Sequence, residues 1–142
     1  MRLPRFGWPV CCRRLDSMAD VVVRRIEDLP RQQIKGGEMV FARAGLGVTS
    51  FGLQVERLPP GFLFGHDETE SGQEEVYVVL EGSVTLRVAG DEFLLERGVI
   101  ARIGPQEWRE IRARESGALL LCIGGVPGEA FRPGAWSDVM GD

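Results

Sequence analysis

The sequence has 142 residues, 44% hydrophobic and 27% charged, which suffices for one compact domain with a core and is too little for two. Its 19 glycines and 8 prolines, with only 8% aromatic residues, favour short strands over long helices. The single histidine, His66, excludes sites built from two or three imidazoles of one chain, such as the HExxH metalloprotease motif. The net charge of −4 at pH 7 argues against nucleic acid as a partner.

Cysteine usage and hydropathy predict a cytoplasmic protein. The chain has three cysteines, an odd number with no CxxC pair: Cys11, Cys12 and Cys122. This pattern supports neither a zinc ribbon nor a disulfide framework, so we expect the protein to reside in a reducing compartment. No apolar stretch approaches the ~18 residues that span a bilayer, so no membrane partner is expected. Residues 1–17 are basic and lack the apolar middle of a secretory signal; we interpret them as a disordered extension or a mis-called start before Met18.

From residue 38 onward, apolar runs recur about every 8 to 12 residues between glycine, proline and aspartate, which is typical of an all-β sandwich or barrel. Residues 18–37 form a lead-in, residues 38–124 the barrel, and residues 125–142 a tail that packs on the surface. Short connections at residues 81–83 and 89–91 predict antiparallel hairpins. The predicted strands are Met39–Arg43, Val48–Leu58, Glu75–Glu81, Val84–Ala89, Glu92–Glu96, Ile100–Ile103, Trp108–Arg114 and Ala118–Ile123.

Alternation within these runs separates two faces of each strand. In the second run, Leu53 and Val55 share one face and Gln54 and Glu56 the other. One face of each strand is therefore expected to line the core or the lumen of a barrel.

The segment PPGFLFGHDETESGQEEVYVVLEG, residues 59–82, carries the most specific pattern in the chain. It resembles the first motif of the cupin superfamily, with six residues between its glutamate and its last glycine. The resemblance covers residues 38–124 and implies an all-β double-stranded β-helix, the cupin-type jelly-roll barrel, with a ligand-sized lumen. The residues that carry it are Gly61, His66, Glu75 and Gly82 in the first motif and Gly98, Gly104 and Pro105 in the weaker second motif.

The metal-ligand positions depart from those of metal-binding cupins, which use three histidines and a glutamate. His66 and Glu75 stand at two of these positions, but Glu68 replaces the second histidine and Arg109 the last. The resemblance therefore implies that the three-histidine metal site is degenerate. Arg109 would place a permanent cation in the lumen, paired with Glu75 or Glu68. If its strand is shifted by one residue, Trp108 points inward and Arg109 to solvent.

The leading hypothesis is a single-domain cupin that binds a small polar or anionic molecule in its barrel, as a binding or sensing module without metal or other cofactor. Phe64 is expected in the apolar wall, and no catalytic residue is assigned. The predicted ligand-binding residues are His66, Glu68, Glu75, Arg109, Tyr77 and Trp108.

Two other hypotheses stay open. In the second, His66, Glu68 and Glu75 hold one divalent ion (Mn, Fe, Zn or Ni) in a metal-dependent enzyme of the dioxygenase or isomerase class. In the third, the chain is a structural domain that forms a homodimer, since cupins resembling it often pair through their sheets. The fold alone does not select among them, because one scaffold carries many activities.

Overall fold

The computed structural model describes residues 19–134. All strand pairs in it are antiparallel and belong to one eight-stranded sheet. No helix in residues 19–134 has the length and apolar character needed to cross a membrane. The elements in chain order are a 3₁₀ turn (Ile26–Asp28), β1 (Arg31–Ile34), β2 (Gly37–Val40), α1 (Ala42–Leu46), β3 (Gly52–Leu58), β4 (Leu63–His66), β5 (Glu74–Val88), β6 (Asp91–Glu96), β7 (Ile100–Ile103) and β8 (Arg109–Gly125).

Two long strands, β5 and β8, divide this sheet into two half-sheets. Residues 74–82 of β5 pair with residues 118–125 of β8, and residues 84–88 of β5 pair with residues 109–113 of β8. The first half-sheet continues through β3, β2 and β1 on one side and β7 on the other. The second half-sheet adds β4 and β6. This arrangement is consistent with a jelly roll and confirms the predicted all-β fold class.

The main core lies between the half-sheets. Tyr77 and Val79 of the first half-sheet pack with Val84, Leu86 and Ile111 of the second, and all five are almost completely buried. A second apolar cluster covers the opposite face of the first half-sheet beneath α1 and the 3₁₀ turn. Its buried members are Leu29, Val40, Ala42, Val55 and Leu119. Strand β3 is therefore covered on both faces over residues 53–56, and its polar side chains Gln54 and Glu56 face the interior.

The first strands begin and end at different residues from those predicted. The strand predicted over Met39–Arg43 ends at Val40, because the chain turns there into α1, which stops at Gly47 with φ +73°. The strand predicted over Val48–Leu58 begins only at residue 52. The short strands β1 and β4 were not predicted, because β1 has one apolar residue among three polar ones and β4 is interrupted by Gly65.

The hairpin predicted at residues 81–83 is wrong, since β5 runs through Gly82 as one strand. The positive φ of this glycine, +70°, serves a bulge at which the register with β8 shifts. The last two predicted strands are likewise one strand, β8, which passes Gly117 at φ +69°. The hairpin at residues 89–91 is present and joins β5 to β6. Residues 1–17, with Cys11 and Cys12, and the end of the predicted tail lie outside the described residues.

Candidate functional site

A cavity of about 620 Å³ lies between the half-sheets. Its volume is in the usual range for small-molecule sites, about 300–1,000 Å³. Met39, Phe62 and Phe64 supply apolar wall, and polar side chains from β3, β4, β5 and the loop after β4 form one group of the lining. Lys35 and Arg43 line it as well, and so does Phe131 of the C-terminal segment. Ligand sites are typically built this way, with apolar walls and a few convergent polar groups.

The polar end of the cavity is a cluster of three side chains, His66, Glu68 and Glu75. The Nε2 atom of His66 lies 3.3 Å from Oε1 of Glu68 and 3.4 Å from Oε2 of Glu75. His66 ends β4, and Glu75 lies near the start of β5, so the two strands bring them together across the intervening loop. A hydrogen bond of 2.9 Å, which the Glu68 backbone amide donates to the Pro105 carbonyl, holds that loop in place. The hydroxyl of Ser71 also donates to the Glu68 carboxylate.

Two further residues support Glu75. The hydroxyl of Tyr77, which points to the same face of β5, donates a hydrogen bond of 2.5 Å to Oε2 of Glu75. Nη2 of Arg109 lies 3.9 Å from the same oxygen and donates a 3.0 Å hydrogen bond to the Gly104 carbonyl. The Arg109 side chain is completely buried. Glu75 therefore stands between a histidine on the cavity side and a buried guanidinium on the other.

The electrostatics of this cluster favour ionised side chains. Hydrogen bonding to Glu68, and next to Glu75, raises the pKa of His66 from 6.5 to about 9. The same contact with His66 lowers the pKa of Glu68. Burial holds the pKa of Tyr77 above its ordinary value, so its hydroxyl remains a hydrogen-bond donor. At neutral pH the cluster thus contains an imidazolium against carboxylates.

We expect the His66 imidazole to titrate at pH about 9 instead of 6.5. As the only histidine of the chain it gives one ring signal, so an NMR titration measures its pKa directly. Because the folded pKa is raised, this group stabilises the fold fully below pH 6.5, and the stabilisation disappears as pH rises through 9. Glu68→Gln should move the titration toward 6.5, while the chain unfolded in urea serves as the reference. Titration of the folded wild type near 6.5 would contradict the assigned contacts.

The structure places most of the predicted site residues at the cavity, with two differences. His66, Glu68, Glu75 and Tyr77 all line it, together with the predicted wall residue Phe64. Phe64 stacks on the ring of His66 with centroids 5.9 Å apart.

The two differences concern Trp108 and Arg109, which are adjacent in sequence. Successive side chains of a strand point to opposite faces, so only one of the two can point inward. Of the two registers considered, the one with Arg109 inward is found. This residue lies behind Glu75 and not in the cavity wall. The prediction of Trp108 as a ligand-binding residue is wrong, because its side chain is 59% exposed outside the cavity.

Several polar residues of the cavity escaped the sequence analysis, and the most deeply buried of them lie on β3. Gln54 and Glu56 of this strand line the cavity, whereas Leu53 and Val55 belong to the second apolar cluster on the opposite face. Glu56 is only 7% exposed. The available signal was that Gln54 and Glu56 share their face with Leu58, a member of the main core.

Comparison with known families settles the fold family. The model of the cupin domain matches residues 54–124, which is half of the chain. The chain belongs to the cupin superfamily. No curated protein matches its sequence significantly.

Solved structures show the same fold. A cupin protein from Bacteroides fragilis is 23% identical, with a TM-score of 0.61 over 85% of this chain and 96% of that one. A protein from Thermus thermophilus is 26% identical, with a TM-score of 0.60 over 78% and 98%. A sugar phosphate isomerase of the cupin superfamily from Silicibacter pomeroyi is 18% identical, with a TM-score of 0.62 over 77% and 75%. Likeness at this level concerns the scaffold of this cupin and leaves its ligand open.

Proposed function

We propose that this cupin binds a small polar molecule in its cavity, in direct contact with His66, Glu68 and Glu75. The observation that carries the proposal is the charge arrangement of this cluster. Two protein cations, His66 and the buried Arg109, lie within 4 Å of its carboxylates. The acids are therefore balanced by the protein itself and do not need a metal ion for that purpose.

The polar groups at this end can both donate and accept hydrogen bonds. Nε2 of His66 is a donor in its protonated form, and the oxygens of Glu68 and Glu75 are acceptors. Phe62 and Phe64 provide an apolar surface beside them, their rings 5.8 Å apart. A ligand with several polar groups on a compact carbon frame matches this combination.

A second candidate is a divalent metal ion, which the spacing of the donors favours. One atom each from His66, Glu68 and Glu75 lies within 4.8 Å of the others. Ligands about 2.1 Å from one ion are at most about 4.2 Å apart, so small side-chain movements would let the three bind Mn²⁺, Fe²⁺, Zn²⁺ or Ni²⁺. Such an ion would act as a Lewis acid on a bound substrate. The cation of Arg109 next to Glu75 opposes this occupancy, and for that reason we rank it second.

Calorimetric titration of metal-depleted protein with three classes of probe tests the proposal. The probes are neutral D-glucose and xylitol, anionic D-gluconate and citrate, and the ions Mn²⁺ and Zn²⁺. We expect at least one organic probe to bind and also to shift the His66 ring signal. Glu75→Gln should weaken that binding at least tenfold, because it removes a charged acceptor. The control Glu92→Gln, at an exposed carboxylate on β6 outside the cavity, should leave it unchanged.

The alternatives give different results. If one equivalent of Mn²⁺ or Zn²⁺ binds and no organic probe binds, the proposal is wrong and the cluster is a metal site. Organic binding that Glu75→Gln and Glu92→Gln leave equally intact would place the ligand elsewhere and overturn it. Absence of binding by all six probes would also count against a small-molecule site.

A further inference from the structure

The cavity contains a buried carboxylate that the His66 cluster does not use. Glu56 on β3 lies opposite Met39 of β2 and Leu120 of β8, so its neighbours across the sheet are apolar. Its Oε1 accepts a hydrogen bond of 2.7 Å from Nε2 of Gln54. Its Oε2 is buried and has no partner among the described residues. Buried polar atoms are rarely left without a partner, so this oxygen needs an explanation.

The position is unfavourable for an acid in the free protein. The pKa of Glu56 is raised from 4.5 to about 7, chiefly by burial and also by the negative charge of Glu75, while the Gln54 hydrogen bond and the charge of His66 oppose the rise. An apolar side chain of similar size would avoid the desolvation of the carboxyl group. Since Met39 and Leu120 beside it are apolar, packing alone gives no reason for an acid here. A group that reduces stability while lining a cavity is a typical sign of a binding role.

We propose that Glu56 and Gln54 form a second polar subsite of the same cavity, and that the ligand is a polyhydroxylated molecule of about monosaccharide size whose hydroxyls reach both subsites. This inference rests on the proposed function, because it takes the His66 cluster as the first subsite. The carboxyl group of Glu56, which lines the cavity, accepts a hydrogen bond from one ligand hydroxyl after a small side-chain rotation that turns its unpartnered oxygen toward the ligand, and the His66 cluster binds other hydroxyls.

The chemistry of the two subsites favours hydroxyls over ammonium groups. A hydroxyl both donates and accepts, and so satisfies carboxylate oxygens and the imidazolium N–H with one kind of group. An ammonium group can only donate, so it cannot satisfy the imidazolium N–H, and the cations His66, Lys35 and Arg43 that line the cavity compete with it for the carboxylates. The rings of Phe62 and Phe64 offer an apolar surface to the C–H faces of such a molecule.

Two variants of Glu56 separate a binding role from a structural one. Glu56→Leu removes both oxygens with little change in volume, and Glu56→Gln keeps the shape but removes the charge. In the absence of ligand we expect Glu56→Leu to unfold at the same or a higher temperature than wild type, because no buried acid remains unpartnered. We expect its affinity for the best-binding probe among D-glucose, D-galactose, D-mannose and xylitol to fall at least tenfold. Glu56→Gln should give a smaller loss in the same direction.

The control is Glu96→Gln, which changes an exposed carboxylate of β6 and should alter neither quantity. Lower thermal stability of Glu56→Leu with unchanged probe affinity would show a structural role and overturn the second subsite. If citrate binds and no polyhydroxylated probe does, D-gluconate included, the proposed function stands while the polyhydroxylated class is refuted. If no organic probe binds to the wild-type protein, both the second subsite and the proposed function are refuted.

Discussion

Arg109→Ala is expected to lower the free energy of unfolding by about 3–5 kcal/mol at pH 7, as is usual when one partner of a buried ion pair is removed. The arginine side chain is completely buried and contacts Glu75 at 3.9 Å. The same nitrogen donates to the Gly104 carbonyl. Alanine would leave the Gly104 carbonyl without this donor and Glu75 without its buried cation, and it would open a void; each effect reduces stability.

Urea unfolding followed by circular dichroism measures this loss. Arg87→Ala is the matched control, because Arg87 also pairs with a carboxylate on a neighbouring strand but its side chain is 53% exposed. Its loss should be much smaller than that of Arg109→Ala, because water screens an exposed ion pair. The double variant Arg109→Ala/Glu75→Gln should recover part of the stability, since a neutral amide has less need of a cation. A loss in Arg109→Ala no greater than that in Arg87→Ala would contradict the buried ion pair.

The same substitution reports on what the cavity binds. The positive charge of Arg109 partly offsets the rise in the pKa of His66 that its carboxylate partners cause. The same charge disfavours a second cation near Glu75. Without it, the cluster becomes more negative, and affinity for Mn²⁺ should increase over that of the wild type. We therefore expect Arg109 to favour the organic ligand over the metal ion at this cluster.

The sequence predicted the family, and it identified the residues that the structure brings together at the polar end of the cavity, because both depend on local information. The spacing of Glu75 and Gly82 identifies the cupin motif, and the strand that begins at Glu74 then determines the side on which Glu75 and Tyr77 lie. Pairing across the sheet is not local. The contacts of His66 with its two carboxylates depend on the loop after β4, whose path is set by the hydrogen bond from Glu68 to Pro105.

Glu56 shows why alternation alone is ambiguous. A strand with one apolar and one polar face normally turns the polar face to solvent. In β3 the apolar face is covered by α1 and the 3₁₀ turn, and the polar face lines the cavity. Since both faces are covered, polarity does not indicate which one is outside. The clue requires knowing that Leu58, on the polar side, belongs to the main core.

Gly82 shows a different ambiguity, between a turn and a bulge. A glycine with positive φ suits both a tight hairpin and a bulge in a continuous strand. The apolar runs on either side of it are compatible with both. What distinguishes them is the partner, since β8 pairs with β5 on both sides of the glycine. Such long-range pairing cannot be recognised from a sequence window of a few residues.

Gly82→Ala is expected to destabilise the fold by about 3 kcal/mol or more, which lowers the melting temperature by about 10 °C. The backbone there has φ +70°, a region that disfavours alanine by about 1–2 kcal/mol. A Cβ atom would also lie 2.0 Å from the carbonyl oxygen of Gly117. That oxygen belongs to the backbone of β8, so the clash is relieved only by moving the strand that joins the two half-sheets.

Thermal unfolding of Gly82→Ala beside Gly90→Ala separates the clash from the dihedral angle. Gly90 has φ +86°, and a Cβ added to it would meet nothing within 4 Å, so its substitution should cost only about 1 kcal/mol. The difference between the two variants then measures how rigidly β5 and β8 are held at the bulge. Equal losses would mean that the strands move apart easily, in which case β5 would not hold Glu75 firmly against His66 and Arg109.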